Sequence, residues 1–135
     1  MEVYEILDKV SRAKKEHTKL AALKKNATPA LQTILLLNFH PEMKFVSFSE
    51  VSYLKSTNPS SSLNEEYHKL GMLTEGGGKM KGTDEQIRQM YVEILSSIHE
   101  KDAAIIESCK RESLEQDYGI TLEMAKEAFP DLSWE

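Results

Sequence analysis

The sequence is poor in the residues that most often announce chemistry. Cys109 is its one cysteine, so an internal disulfide and a multi-cysteine zinc site are both excluded, and a reducing compartment fits. A lone thiol of this kind reads as a small buried hydrophobe. No purely apolar run exceeds four residues, as in Ile34–Leu37, which is far short of a bilayer span. Glu2 and Glu5 stand close behind the first methionine, where a signal peptide would be basic and then apolar. The expected location is the cytoplasm, with no membrane partner. Glycine and proline are too sparse for a collagen-like chain, and 40% hydrophobic residues are too many for a disordered one. The 135 residues therefore suit a single domain, 1–135, with a buried core.

A net charge of −5 argues at first against nucleic acid, because phosphate binding is driven by Lys and Arg releasing counterions. The total hides a division. Residues 1–60 carry nine basic and six acidic side chains (+3), whereas residues 61–135 carry eight and sixteen (−8). In residues 9–25 the contrast is sharpest: Lys9, Arg12, Lys14, Lys15, Lys19, Lys24 and Lys25 face only Glu16, a balance of +6.

Apolar spacing is helical nearly throughout. Val3, Ile6, Leu7 and Val10 recur at i, i+3, i+4, i+7 and predict a first helix. Leu20 to Leu23 mark a second, ending at Asn26-Ala27. Thr28-Pro29 starts a third through Leu31, Ile34, Leu35 and Leu37, apolar on several faces and thus central. His40-Pro41 breaks it, and Phe39, Met43, Phe45 and Phe48 bring bulk to the connection. Ser47 with Glu50 predicts a capping box for a short helix through Val51 and Leu54, and Ser62 with Glu65 predicts another through Tyr67 and Leu70. Between them, 56–62 reads as a loop. The 71–82 stretch contains Gly76-Gly77-Gly78 and is expected to be the most mobile. Thr83 and Gln86 open a long helix with Ile87, Met90, Tyr91, Ile94, Leu95 and Ile98 inward. A seventh begins near Glu100-Lys101-Asp102 and buries Ile105, Ile106 and Cys109. After Leu114 the chain turns at Tyr118-Gly119, and Thr121 caps a last helix that Pro130 stops. No strand alternation and no repeat is present, so the fold expected is all-α: one array of about seven or eight short helices.

Spacing decides against catalytic and cofactor motifs. A nucleotide-phosphate loop needs Gly, four residues, then Gly-Lys-Ser/Thr. Counting back from Gly78-Lys79 reaches Leu73, and Met80 replaces the hydroxyl. His17, His40, His68 and His99 lie 23, 28 and 31 residues apart, without the one-turn spacing of helical metal ligands. The pairs Glu65-Glu66 and Asp84-Glu85 sit at helix starts, where the dipole favours negative charge. The expectation is a protein without catalytic site, metal or cofactor. A different signal remains. Lys15 and Lys19 stack on one helix face with Lys14 and Thr18 beside them, near free amides that can grip a phosphate. Lys81-Gly82-Thr83 and Gly119-Ile120-Thr121 pair close backbone approach with a Thr-capped helix start. A solvated surface and ordinary capping explain the same residues without a ligand.

The order of these segments resembles the N-terminal DNA-binding domain of ATP-dependent DNA ligases, especially those of tailed bacteriophages. The resemblance runs through Ile6-Leu7, the linker Ser11 to Lys15, then Lys19, Ala21, Leu23, Lys25 and Asn26. It continues in Asn38-Phe39-His40-Pro41-Glu42-Met43-Lys44-Phe45 and Lys81-Gly82-Thr83. It closes with Leu114-Glu115, Gly119, Thr121, Ala125 and Phe129-Pro130, spanning residues from about 3 to 132. It implies a helical, non-catalytic clamp that holds duplex DNA by its phosphates across the minor groove. By position it assigns DNA contacts to Lys14, Lys15, Thr18, Lys19, Lys44, Lys81, Gly82, Thr83, Arg111, Gly119 and Thr121. The adenylated Lys-x-Asp-Gly motif is absent, and Glu135 falls about where a nucleotidyltransferase domain would begin, so a stand-alone chain that does not itself seal nicks is implied. Glu112 stands where Arg or Lys is expected, and Gln116-Asp117-Tyr118 lengthens the turn before Gly119. The basic amino-terminal helices are left to carry most of the contact.

The expected function is thus sequence-independent binding of double-stranded or nicked DNA, in the host cytoplasm if phage-encoded. The alternative keeps the fold without the DNA: a helical module for a protein of replication or repair, such as a host factor, a replication clamp or a separate ligase subunit, to which the −8 half is suited.

Overall fold

Helix starts and stops in this chain follow local chemistry, and the computed structural model describes them for residues 1–45, 51–74 and 83–134. Eight α-helices lie among the described residues: α1 (Val3–Arg12), α2 (Glu16–Lys25), α3 (Pro29–Phe39), α4 (Leu63–Glu66), α5 (Asp84–Ser97), α6 (Glu100–Lys110), α7 (Leu114–Tyr118) and α8 (Leu122–Ala128), with a 3-10 helix at Tyr67–Leu73. The all-α expectation holds, and the one extended pairing described is an isolated antiparallel bridge between Phe45 and Thr74.

The α1 stripe Val3, Ile6, Leu7 and Val10 is fully buried. Thr28 caps α3 by accepting from the Leu31 amide at 3.2 Å, with Pro29 in the first turn. Ala30, Leu31, Ile34, Leu35 and Leu37 then bury several sides of α3, which packs on α6, α4 and the 3-10 helix as the central element. Thr83 and Gln86 form the predicted capping box of α5. Cys109 is buried in α6, its sulfur 3.5 Å from the Ile34 carbonyl. Gly119 ends α7 in the left-handed region at φ 71°, and Thr121 caps α8. One hydrophobic cluster collects side chains from α1 through α8 and closes with Trp134, whose indole N–H donates to the Phe129 carbonyl at 3.0 Å.

Two predicted segments differ. Residues 51–56 are not helical. Val51 and Tyr53 are half-buried against the core while Ser52 and Leu54 face solvent, a period-two pattern that belongs to extended chain, and Ser56 accepts from the Glu100 amide at 2.8 Å. Ser47 and Glu50, the proposed cap, lie outside the described residues. At Ser62 the hydroxyl makes no capping bond; Glu65 instead accepts from Ser61 Oγ at 3.3 Å, and α4 passes into the 3-10 helix after one turn. Residues Gly71 to Leu73 close that 3-10 helix, whereas the glycine run Gly76 to Gly78, for which mobility was expected, is outside the described residues.

Candidate nucleic-acid interface

Between α1 and α2 the chain is extended at Ala13 and again at Lys15, the N-cap of α2. A helix start leaves its first amides without intrahelical partners, and Ser, Thr, Asp or Asn normally accepts from one of them. Lys15 has no acceptor to offer, and no side chain caps α2. Lys14, Lys15 and Thr18 are all exposed. An ammonium at the positive end of a helix dipole is unfavourable by roughly 0.3–1 kcal/mol, so this arrangement costs stability while concentrating positive potential with free N–H groups. What such a place accepts is an anion.

Glu16, exposed in the first turn of α2, is the one acid of this run, and the surrounding cations form no ion pair among the described residues. Lys9, Arg12, Lys14, Lys15, Lys24 and Lys25 are exposed, and among the described residues none has a carboxylate within 4.0 Å; ion pairs engage Lys44, Lys69, Lys101 and Arg111, and Arg88 and Lys110 are engaged as well. The sequence places Lys9, Arg12, Lys24 and Lys25 in the basic run, and the resemblance assigns them no contact. Their charge run was the signal for them.

Lys15 is extended at the N-cap and Lys19 is turned inward, so the two do not share one open helix face as their spacing predicts. The Lys19 Nζ donates to the Val10 carbonyl at 2.8 Å, tying α2 to the end of α1, and is half-buried. A Cβ built on Gly119 would lie 2.9 Å from that nitrogen, the far end of a flexible side chain, so it is the positive φ that calls for glycine there. The structure thereby brings Gly119 to α2, and α8 packs on α2 beside it. Thr121 is occupied in accepting from the Met124 amide at 3.2 Å.

The remaining candidates divide. Lys44 donates to the Asn38 carbonyl at 3.2 Å and to Glu112 Oε1 at 2.7 Å. Arg111 lies 4.0 Å from Glu107 and 3.6 Å from Asp117, whose Oδ2 also accepts from Ser108 Oγ at 2.6 Å. Both cations are therefore answered by carboxylates. Arg111 meets Asp117, which is two residues from Gly119, and Gly119 meets Lys19. Thr83 is exposed at the start of α5 and engaged in its capping box. Lys81 and Gly82 lie outside the described residues.

Buried titratable groups elsewhere serve the fold. Asp102 is fully buried in the first turn of α6, and its Oδ1 accepts from the Tyr4 amide at 3.0 Å, capping α1 from a distance of 98 residues. Burial is the main cause that lifts its carboxyl to about 7, against the opposing pull of that amide. Burial likewise pushes the Cys109 thiol up. No group of three or more His, Cys, Asp or Glu that could hold a metal occurs among the described residues, and no helix there is long and apolar enough to cross a membrane.

A family model described as a family of unknown function, DUF6433, matches residues 6–116, from α1 into α7. The α2 start lies within that stretch, and Gly119 and Thr121 lie beyond it. No curated protein and no solved structure matches the chain.

Proposed function

Because the chain belongs to DUF6433, a family of unknown function, we propose a role argued from its own surface: non-catalytic, largely sequence-independent binding of double-stranded or nicked DNA through the phosphates. The observation that carries this reading is the uncapped α2 start, where Lys14 and Lys15 add charge to a helix end that is already positive. No base-reading element is needed, because contacts to phosphate position a protein without reading sequence. Lys9, Arg12, Lys24 and Lys25 extend the positive field around that start. Lys19 supports the site by fixing α2 against α1 and the Gly119 turn.

The test is fluorescence anisotropy with labelled intact and nicked duplexes across a salt series. Four to six neutralised phosphates give a log–log slope of about −4 to −5, so raising salt from about 50 to 200 mM should weaken binding by about 10²- to 10³-fold. Reversing Lys14 and Lys15 to Glu should abolish binding. Retention of neither duplex at about 50 mM salt would end the proposal.

A second reading has its own support in α7 and α8. Glu112, Glu115, Asp117, Glu123, Glu127 and Asp131 are exposed there, and Lys44 and Arg111 are already paired. That surface repels phosphate and suits a basic protein partner, as a helical interaction module of replication or repair would.

A further inference from the structure

The starts of α1, α4 and α6 meet at one cavity of about 190 Å³. Glu2 and Tyr4 line it from the α1 start, His99 and Asp102 from the α6 start, and the 57–62 loop leading into α4 closes the other side with Pro59 and Ser62. The Tyr4 and His99 rings, stacked with centroids 4.4 Å apart, stand together on one side of it. The volume is several times the roughly 30 Å³ of a water and below the roughly 300 Å³ at which pockets for drug-sized molecules begin. It suits a head group of side-chain size.

Asp102 is fully buried, yet only half of its carboxyl is used by the fold. Oδ1 accepts from the Tyr4 amide at 3.0 Å; the Leu63 amide approaches the carboxyl as well, but Oδ2 completes no hydrogen bond among the described residues. A buried carboxylate oxygen is stable only against a donor. The adjacent cation does not supply it, because Lys101 Nζ turns to Asp8 at 3.8 Å and lies 5.8 Å from the centre of the Tyr4 ring. Helix starts favour negative charge, and here Glu2 and Asp102 provide it themselves, so the cavity is left acidic. Among the described residues no lysine or arginine lines it. Burial and then Glu2 and Glu5 push the Asp102 carboxyl upward, as expected of an anion without a counter-ion. A wall of this kind accepts a cation that carries N–H groups.

We propose that this cavity binds a small organic cation, a guanidinium or alkylammonium head group, with the Asp102 carboxylate as its counter-ion and the Tyr4–His99 pair beside it. The Ser62 hydroxyl, which makes no capping bond to α4, adds an acceptor. Asp102 has no exposed surface and forms the floor, so contact with Oδ2 moves the 57–62 loop outward, on the side where Thr57 is exposed. The head group arrives as a free molecule or at the tip of an Arg or Lys side chain of another protein, with the same chemistry. The site is separate from the α2 start and stands whether or not the chain binds DNA.

The experiment is an NMR titration of the isotope-labelled full chain with methylguanidinium and methylammonium chlorides at matched ionic strength, against N-methylurea, which resembles methylguanidinium in shape and has no charge. Saturable shifts of the Tyr4, Ser62, Leu63 and His99 amides with at least one cation, and not with the urea, are expected. Asp102→Asn keeps an acceptor for the Tyr4 amide and should weaken binding at least about tenfold, the loss of a charge-assisted hydrogen bond. Glu123→Gln, an equal charge change on α8, should leave it unchanged. The peptide acetyl-Gly-Arg-Gly-amide separates the sources: tighter binding than methylguanidinium marks a protein side chain, weaker binding marks a free molecule, and either supports the site. Should D102N fold poorly, the charged and neutral probes on the parent still decide. No saturable shift at those residues with either cation, an equal response to N-methylurea, or undiminished binding by a folded D102N would overturn the proposal.

Discussion

Replacing Lys15 by aspartate should make the fold more stable and its duplex binding weaker. At the N-cap of α2 the side chain has no acceptor for the free amides, and its charge opposes the helix dipole. Aspartate supplies the acceptor, which contributes about 1 kcal/mol at typical N-caps, and it replaces an adverse charge with a favourable one, adding about 0.5 kcal/mol. Unfolding entropy of about 2.1 cal/mol/K per residue gives about 0.28 kcal/mol/K for this length, so about 1.5 kcal/mol corresponds to a Tm rise of about 5 °C. The same change removes one phosphate contact and adds repulsion, so affinity at about 0.1 M salt should fall at least about eightfold. Lys15→Ser separates the effects, because it caps without adding negative charge: Tm should still rise, by about 4 °C, with the affinity loss near the single-contact value. Thermal unfolding followed by far-UV circular dichroism and anisotropy titrations read the two quantities. A lower Tm in both variants, or unchanged affinity in K15D, would refute the idea that this helix start trades stability for anion binding.

Gly119→Ala should cost about 1–2 kcal/mol in urea unfolding, because alanine is strained at φ 71°, with a smaller part from shifting the flexible Lys19 Nζ that lies 2.9 Å from the added Cβ. In a Lys19→Met background the steric part of that cost should disappear; an identical cost in both backgrounds would show that the two residues do not meet. For Asp102, the folded carboxyl near 7 against an ordinary 3.8 means that the folded state keeps a proton which the unfolded chain has released. Its contribution is fully present below about 4 and is lost as pH rises through about 7. Urea midpoints from pH 4 to about 8 should therefore decline more steeply in the parent than in Asp102→Asn, and equal slopes would contradict the raised carboxyl. Cys109, buried and with its thiol pushed up, should react with a thiol dye only on unfolding, and rapid labelling of the native chain would contradict its place in the core.

Legibility of the sequence depended on how local each cause was. The α1 stripe, the Thr28-Pro29 start, the Thr83–Gln86 box and the Gly119 stop involve neighbours within four residues, and each appears where the sequence predicts it. The 51–56 segment failed because its structure comes from outside: Val51 and Tyr53 lie on the core, and Ser56 bonds the start of α6, so extended chain wins over a local capping pattern. The candidate site shows the same division. Exposed Lys14 and Lys15 near a helix start follow from the charge run. The commitment of Lys19 to Val10 and Gly119, and of Lys44 to a glutamate 68 residues away, depends on packing that no spacing rule contains.

The most direct measurement is a heteronuclear NMR titration of the isotope-labelled chain with a short intact duplex. The amides of Glu16 and His17, at the open start of α2, should shift first and furthest, with Lys14, Lys15, Thr18 and Gly119 following, and raising the salt should reverse the shifts. Shifts centred on α5 or on the acidic face of α8, with Glu16 and His17 unmoved at saturating duplex, would contradict binding at that helix start.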